Sequence, residues 1–279
     1  MRLGLIATLF VLLPAALSAC AVPPHNFSEF RLKSYVELEG CLGQGGSGCP
    51  DTVGTTAAWY ELPTDRYAHG VLGDAIEAAR LNTYLSPTTE HLEVSSCGDK
   101  SVTLDEAHVF EDTTPRLADL DGDGLHEVIV VRSHREKGAQ LAIYADVPGQ
   151  RELSLIAATP YIGTRNRWLA PIGAADLDGD GHIEIAYIDR PHLAKTLRVW
   201  RFKGGELTEI AAASGLTNHR IGEDFISGGI RDCGQGPEMI TADANWTNIM
   251  ATRLVNGQLS ARVVAPFEGR ASMDAALRC

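Results

Sequence analysis

Two stretches of this chain place carboxylates where a single hard cation could be caged. They read Asp-Leu-Asp-Gly-Asp-Gly-Leu-His-Glu at 119–127 and Asp-Leu-Asp-Gly-Asp-Gly-His-Ile-Glu at 176–184. In the first, Asp119, Asp121 and Asp123 occupy positions 1, 3 and 5, and Glu127 closes the loop at position 9. Asp176, Asp178, Asp180 and Glu184 do the same in the second. Glycine at position 6 permits a sharp turn, and position 7 (Leu125, His182) can offer its backbone carbonyl. Ligation by oxygen alone suits Ca²⁺, which takes about 6–8 oxygens, whereas Mg²⁺ usually keeps several waters. About two structural Ca²⁺ ions are therefore expected.

An EF-hand would need a bidentate Glu at position 12 and a helix on either side. Position 12 is instead Val130 in one copy and Tyr187 in the other. The residues that follow each turn, Glu-Val-Ile-Val-Val (127–131) and Glu-Ile-Ala-Tyr-Ile (184–188), are β-branched and aromatic, and predict buried strands. The acidic turn thus joins two strands.

Stepping along the chain from these turns exposes a longer repeat. Residues after Asp232 keep a closing Glu238, and Val71–Glu77 keeps the frame more weakly. Glu77, Glu127, Glu184 and Glu238 are spaced by 50, 57 and 54 residues. Downstream, Leu141–Tyr144, Leu197–Trp200 and Ala251–Leu254 each lead to a turn, at Pro148-Gly149, Gly204-Gly205 and Asn256-Gly257, and then to a further alternating run. Each unit reads strand, acidic turn, strand, connection, strand, hairpin, strand. A four-stranded meander recurring at about 50 residues predicts an all-β fold, a β-propeller of four-stranded blades. Units fall near 66–112, 113–163, 164–216 and 217–266, within a single domain over 28–279. Strand-like pieces at Ser34–Leu38 and Thr56–Tyr60 would complete a fifth blade with the C-terminal tail, although Ala75–Leu85 also carries a helical period.

The loop-plus-strand units resemble the FG-GAP (VCBS-type) repeats of the integrin α-subunit propeller and of many bacterial secreted proteins. That resemblance implies Ca²⁺ held between the first two strands of a blade by Asp119, Asp121, Asp123, Glu127 and the Leu125 carbonyl, and by Asp176, Asp178, Asp180, Glu184 and the His182 carbonyl. It implies a structural ion and assigns none near Glu77 or Glu238. Family propellers commonly have seven blades, more than this chain can supply at its period.

Arg2 and the apolar stretch Leu3–Leu17, too short for a membrane span, predict an export signal over 1–19. Leu17-Ser18-Ala19-Cys20 resembles a bacterial lipobox, which implies acylation of Cys20 and a tether over 20–27. The expected location is the cell envelope, with the outer membrane favoured by Ala21. Cleavage after Ala21, giving a secreted or periplasmic protein, is the alternative. Five further cysteines imply an oxidising compartment: Cys41–Cys49 is the expected disulfide, and a second joins two of Cys97, Cys233 and Cys279.

A net charge of −12 argues against nucleic acid as the main partner. Meander topology nevertheless gathers cations on the face opposite the acidic turns: Arg66, His69, Arg116, Arg165, Arg167, His219 and Arg220 before first strands, and Arg132, His134, Arg135, Arg190 and His192 after second strands, with Trp168 among them. This face is expected to bind an anionic polysaccharide, lipid headgroup or protein patch. Ordinary loop residues paired with Asp65, Glu136 and Asp189 are the competing explanation. No nucleophile elbow, His-Glu-x-x-His or phosphate loop is present, so a binding module is favoured over an enzyme. A lyase-like activity on polysaccharide at the propeller mouth is the alternative, because arginine and histidine are present there.

Overall fold

A computed structural model describes residue 34 and residues 36–37, 54–85 and 98–279. The export signal, Cys20, the tether, the Cys41–Cys49 pair and Cys97 lie outside these residues. No helix among the described residues is long and apolar enough to cross a membrane.

The β-branched runs form the strands expected of them, in three antiparallel sheets. The first holds β1 (Val36–Glu37), β2 (Thr55–Thr64), β3 (Glu77–Leu85), β4 (Gly98–Thr103), β5 (His108–Phe110), β6 (Arg116–Ala118), β7 (Glu127–His134), β8 (Gly138–Ala145) and β9 (Ser154–Ala158). Its order is β1-β2-β3-β5-β7-β8-β9, with β4 also paired to β3 and β6 to β7. The second is a plain meander of β10 (Leu169–Ala175), β11 (Glu184–Asp189), β12 (Thr196–Lys203) and β13 (Glu206–Ser214). The third holds β14 (Leu216–Thr217), β15 (Gly229–Asp232), β16 (Pro237–Asp243), β17 (Asn248–Val255) and β18 (Gln258–Pro266). A single helix among the described residues, α1 (Arg270–Leu277), follows.

Three times, then, the chain runs strand, acidic or formerly acidic turn, buried strand, strand, strand: β6–β9, β10–β13 and β15–β18. Gly204-Gly205 and Asn256-Gly257, all at positive φ, close two-residue hairpins as expected. The pairing of third with fourth strand is bulged in all three units, at Ile143/Tyr144, Val199/Trp200 and Ile249/Met250, which adds twist to each outer edge.

Alternation along the second strands explains the stacking. On β11, Ile185 and Tyr187 enter the core against the first sheet, whereas Ala186 and Ile188 enter the core against the third. On β7, Ile129 and Val131 face the second sheet, and Val128 and Val130 face Tyr60, Leu81 and Phe110. On β16, Met239 faces the second sheet, and Ile240 and Ala242 face Met273 of α1. Trp59 and Trp200 are buried. Trp246 packs half-buried beneath Arg220.

Two features depart from the expected arrangement. The unit near 66–112 has no sheet of its own: Phe110 of β5 pairs with Ala78 of β3 and with Arg132 of β7, fusing the N-terminal strands to the next unit. The C-terminal tail, expected as a strand closing a fifth blade with the N-terminal pieces, is instead helical. Its Ala-rich sequence favours a helix, and Met273 buries itself on the third sheet.

Cys233 and Cys279 form a disulfide closing 46 residues, which resolves the second pairing left open by the sequence. Loop-closure entropy for that span corresponds to about 4 kcal/mol. A Cys233→Ala/Cys279→Ala variant is expected to unfold at lower denaturant concentration by an amount of that order, and an unchanged midpoint would contradict it.

Candidate functional site

The two acidic turns share most of their internal hydrogen bonding and differ at the fifth position, where Asp123 N–H donates to Asp121 Oδ1 (3.2 Å) but Asp180 N–H to Asp176 Oδ1 (3.1 Å). Asp119 accepts the N–H groups of Gly122 (2.8 Å) and Gly124 (3.1 Å), and Asp176 accepts those of Gly179 (2.8 Å) and Gly181 (2.9 Å). Those four glycines all have φ near the left-handed region, 80–86°, where other residues would be strained. Asp123 accepts from Leu125 N–H (2.7 Å) and Asp180 from His182 N–H (2.9 Å). The closing Glu127 and Glu184 each accept, through Oε2, the N–H of the leucine that follows the first Asp: Leu120 and Leu177, both at 2.8 Å. Those leucines are buried, so each turn is tied to the core beneath it.

Asp119, Asp121 and Glu127 offer oxygens within 4.8 Å of one another, as do Asp176, Asp178 and Glu184. Oxygens that far apart suit opposite sides of an ion bound at about 2.3–2.6 Å. Asp123 and Asp180, expected as ligands too, stand outside these tight groups. In the first turn Asp121 Oδ2, Asp123 Oδ2 and Glu127 Oε1 accept no hydrogen bond from any described residue. Burial, and then the charges of Asp121, Asp123 and Asp119, push the Glu127 carboxyl up to about 7. This donor set fits Ca²⁺. In the second turn Arg201 occupies the equivalent oxygens: Nε bonds Glu184 Oε1 (2.6 Å), Nη2 bonds Asp178 Oδ2 (2.6 Å), and Nη1 stands 2.8 Å from Asp180 Oδ2.

The third turn has Asp232 and the closing Glu238 but no carboxylate between them. Asp232 accepts Gly234 N–H (2.8 Å) and Gly236 N–H (3.1 Å), and Glu238 is held by Arg231 and Arg262, each at 2.8 Å. Although burial raises it, those two arginines keep the Glu238 carboxyl below its ordinary value. Glu77, the fourth member of the frame, belongs to no such turn. It lines a cavity of about 1020 Å³ with Asp74, Asp112, Arg116, Phe225 and Arg270, where the three sheets converge.

The expected cationic face is gathered in part. His69, Asn166, Arg167, Trp168, Arg190 and His192 line one pocket of about 200 Å³. His69 Nδ1 bonds the carboxylate of Glu111, which is fully buried and also takes the Ser133 hydroxyl. The Trp168 indole N–H donates to the Glu111 carbonyl (2.7 Å), so residue 111 positions both rings. His219 Nε2 donates to the Glu223 carbonyl (2.9 Å), so its Nδ1 accepts from His192 Nε2 (3.0 Å) and leaves His192 Nδ1 as a bare acceptor. Burial, and then His219, push His192 down to about 4, so it is neutral at physiological pH. Asn166 and Arg190 hold positive φ (54° and 47°), strain of the kind that collects at ligand sites.

Other members of that face are committed elsewhere. Arg66 donates to the His108 carbonyl (3.0 Å), Arg116 forks onto Asp112 in the central cavity (2.8 and 3.2 Å), and Arg132 reaches the Tyr144 hydroxyl (3.2 Å). Arg190 is paired with Asp189 (2.8 Å), as the competing explanation anticipated. Arg220 lies over Trp246, 4.3 Å from the ring centre, and His134 packs edge-on against His108 and Tyr161. Arg135 and Arg165 are exposed, and His219 is buried. Arg167 spends one Nη1 bond on the Asn166 carbonyl (3.2 Å) and, unlike Arg190, has no carboxylate partner among the described residues.

Sequence reasoning missed Glu111, Ser133 and Arg201. Aligning third strands would have found Arg201, which pairs with Glu184 where the same antiparallel count places Ala145 opposite Glu127. Glu111 sits between β5 and β6, outside every repeated element, and carries no such signal.

Burial, followed by Glu111, Asp74 and Asp112, pushes the Glu77 carboxyl up to about 9 from 4.5. The native state therefore holds a proton that the unfolded chain releases near pH 4.5. The stability this proton contributes is full below that pH and is lost as pH rises through about 9. Glu77→Gln is expected to melt near wild type at pH 4 to 5 and above it at pH 9, and equal melting temperatures throughout would refute the assignment.

Comparison with curated proteins gives no match. Residues 119–187 match the family described as FG-GAP-like repeat, a span that opens on the first acidic turn, includes the whole second turn and ends within β11. Over residues 119–187 the chain is thus similar to FG-GAP-like repeats.

Proposed function

We propose that this protein is an envelope-anchored interaction module whose FG-GAP-type repeats are stabilised by Ca²⁺ and whose histidine-lined pocket receives an anionic partner. The observation that carries the proposal is the pairing of a repeated acidic turn with a separate pocket that holds Arg167, a cation with no carboxylate partner among the described residues. In this reading the three meanders are blades around the central cavity, and acylated Cys20 anchors the domain to the outer membrane. Ca²⁺ in the turns offsets carboxylates that otherwise repel one another, so ion binding becomes folding free energy.

In the pocket, Arg167 supplies charge, and the bare nitrogens of His69 and His192 accept hydrogen bonds. A ligand matching them carries a carboxylate beside hydroxyl donors, which favours an acidic polysaccharide over a lipid headgroup or a protein patch. One observation favours the enzymatic reading of the same pocket. His69, oriented by buried Glu111 and set near Arg167, has the arrangement of a base beside a carboxylate-neutralising group, as a uronate lyase requires.

Two measurements test this. Saturating Ca²⁺ is expected to stabilise the chain by about 3 kcal/mol at a hundredfold excess over Kd, and Asp121→Ala should lose most of that gain in a thermal melt. Absence of any Ca²⁺-dependent shift would reject the structural ion. Polygalacturonate is expected to bind and neutral dextran not to, with Arg167→Ala weakening binding by at least about tenfold through loss of a charge-assisted hydrogen bond. Equal binding of both polymers would reject the pocket as an anion site. Ultraviolet-absorbing unsaturated products, abolished by His69→Ala, would establish the lyase.

A further inference from the structure

The two acidic turns are not equivalent, although their own residues are almost identical. In the first, Asp121 Oδ2, Asp123 Oδ2 and Glu127 Oε1 have no donor among the described residues. In the second, Asp178 Oδ2, Asp180 Oδ2 and Glu184 Oε1 lie 2.6, 2.8 and 2.6 Å from the three guanidinium nitrogens of Arg201. Because Glu184 Oε2 already accepts Leu177 N–H, both oxygens of the closing residue are committed.

The difference is rooted in the strands. Arg201 stands directly opposite Glu184 in the β11–β12 register, and β12 is fixed on its other side by pairing with β13 from Lys203 back to Thr196. The long side chain therefore starts beside the turn, on a strand paired on both sides. Opposite Glu127 the first unit has Ala145, too short to reach. In the third unit, where acids have been lost, Glu238 is neutralised by Arg231 and Arg262. The series runs from a turn with no internal cation among the described residues, to one filled by a guanidinium, to one that has only Asp232 and an arginine-paired Glu238.

We infer that Arg201 is the resident cation of the second turn, so that this protein has one turn requiring a divalent ion and one neutralised by its own side chain. The inference rests on reading the 119–127 turn as a Ca²⁺ site and narrows the expected two ions to one tightly held. Planar geometry suits the role: a guanidinium can present donors to several carboxylates in one plane, which an ammonium cannot. An ion entering the second turn must first break at least one charge-assisted hydrogen bond.

Calorimetric titration of the full-length chain with CaCl₂ tests this. Wild type is expected to take up one equivalent tightly, Asp121→Asn to lose it, and Arg201→Gln to gain a second equivalent. That second site should be at least about tenfold tighter than any second event in wild type. Ala145→Arg, which builds the internal cation into the first turn, is expected to lose the tight equivalent and the Ca²⁺-dependent rise in melting temperature. This variant decides the matter if Arg201→Gln does not fold. Two wild-type sites within about tenfold of each other, unchanged by Arg201→Gln, would overturn the inference while leaving Ca²⁺ binding intact. No wild-type binding and no effect of Asp121→Asn would instead reject the calcium reading of the first turn. In that case a site gained by Arg201→Gln would still support Arg201 as the occupant of the second, and none gained would sink both.

Discussion

Neutralising clustered carboxylates at the turn between first and second strands is the constraint on which this architecture depends. Each turn must bring its closing glutamate to the start of a strand buried on both faces. Glu127 precedes Val128–Val131, all without solvent exposure, and Glu184 precedes the equally buried Ile185–Ile188. The backbone satisfies part of the charge, with Leu120 and Leu177 donating to the closing glutamates while their side chains enter the core. For the remainder the second unit supplies Arg201 and the third Arg231 and Arg262, and for the first we propose Ca²⁺. Folding of the central strands and the electrostatics of the turns are thus one problem.

Stacking follows from the same strands. A second strand buried on both faces serves two cores at once, so the second sheet is held between its neighbours by Ile185 and Tyr187 on one side and by Ala186 and Ile188 on the other. The fourth strands, β13 and β18, are largely exposed and tolerate bulges. Burial falls from the second strand to the fourth within each unit, so the loops joining inner strands are the ones placed against neighbouring sheets. The pocket lined by His69, Trp168 and His192 is built at such a junction, with contributions from the segments before β3 and β10 and after β11.

Much of this was legible in the sequence because the signals were local and repeated. The acidic turns, the buried runs behind them, and the Gly204-Gly205 and Asn256-Gly257 hairpins each follow from a few adjacent residues. The N-terminal unit misled for the opposite reason. Glu77 begins a strand at the expected spacing, yet its strand joins β5 through Ala78, a pairing of distant residues that no period reveals. The basic face was read as one mouth because topology fixes which loops share a face. It does not fix which arginines are spent on neighbours: Arg190 pairs with the adjacent Asp189 and Arg116 with Asp112 four residues before it, while Arg132 reaches across to Tyr144 on the next strand. The tail departs because residues 270–277 are Ala-rich and form a helix that buries Met273 on the third sheet.

The helix α1 has a further consequence for how the molecule behaves among its own copies. Ile240, Ala242, Ile249 and Ala251 form the outward face of the third sheet, where in a continuing stack another sheet would sit, and Met273, Ala276 and Leu277 cover it. An uncovered apolar sheet face of this kind invites a second copy to settle on it. The eight residues of α1 therefore cap the last of the three described sheets, and unseating them would expose an apolar face open to association with another copy.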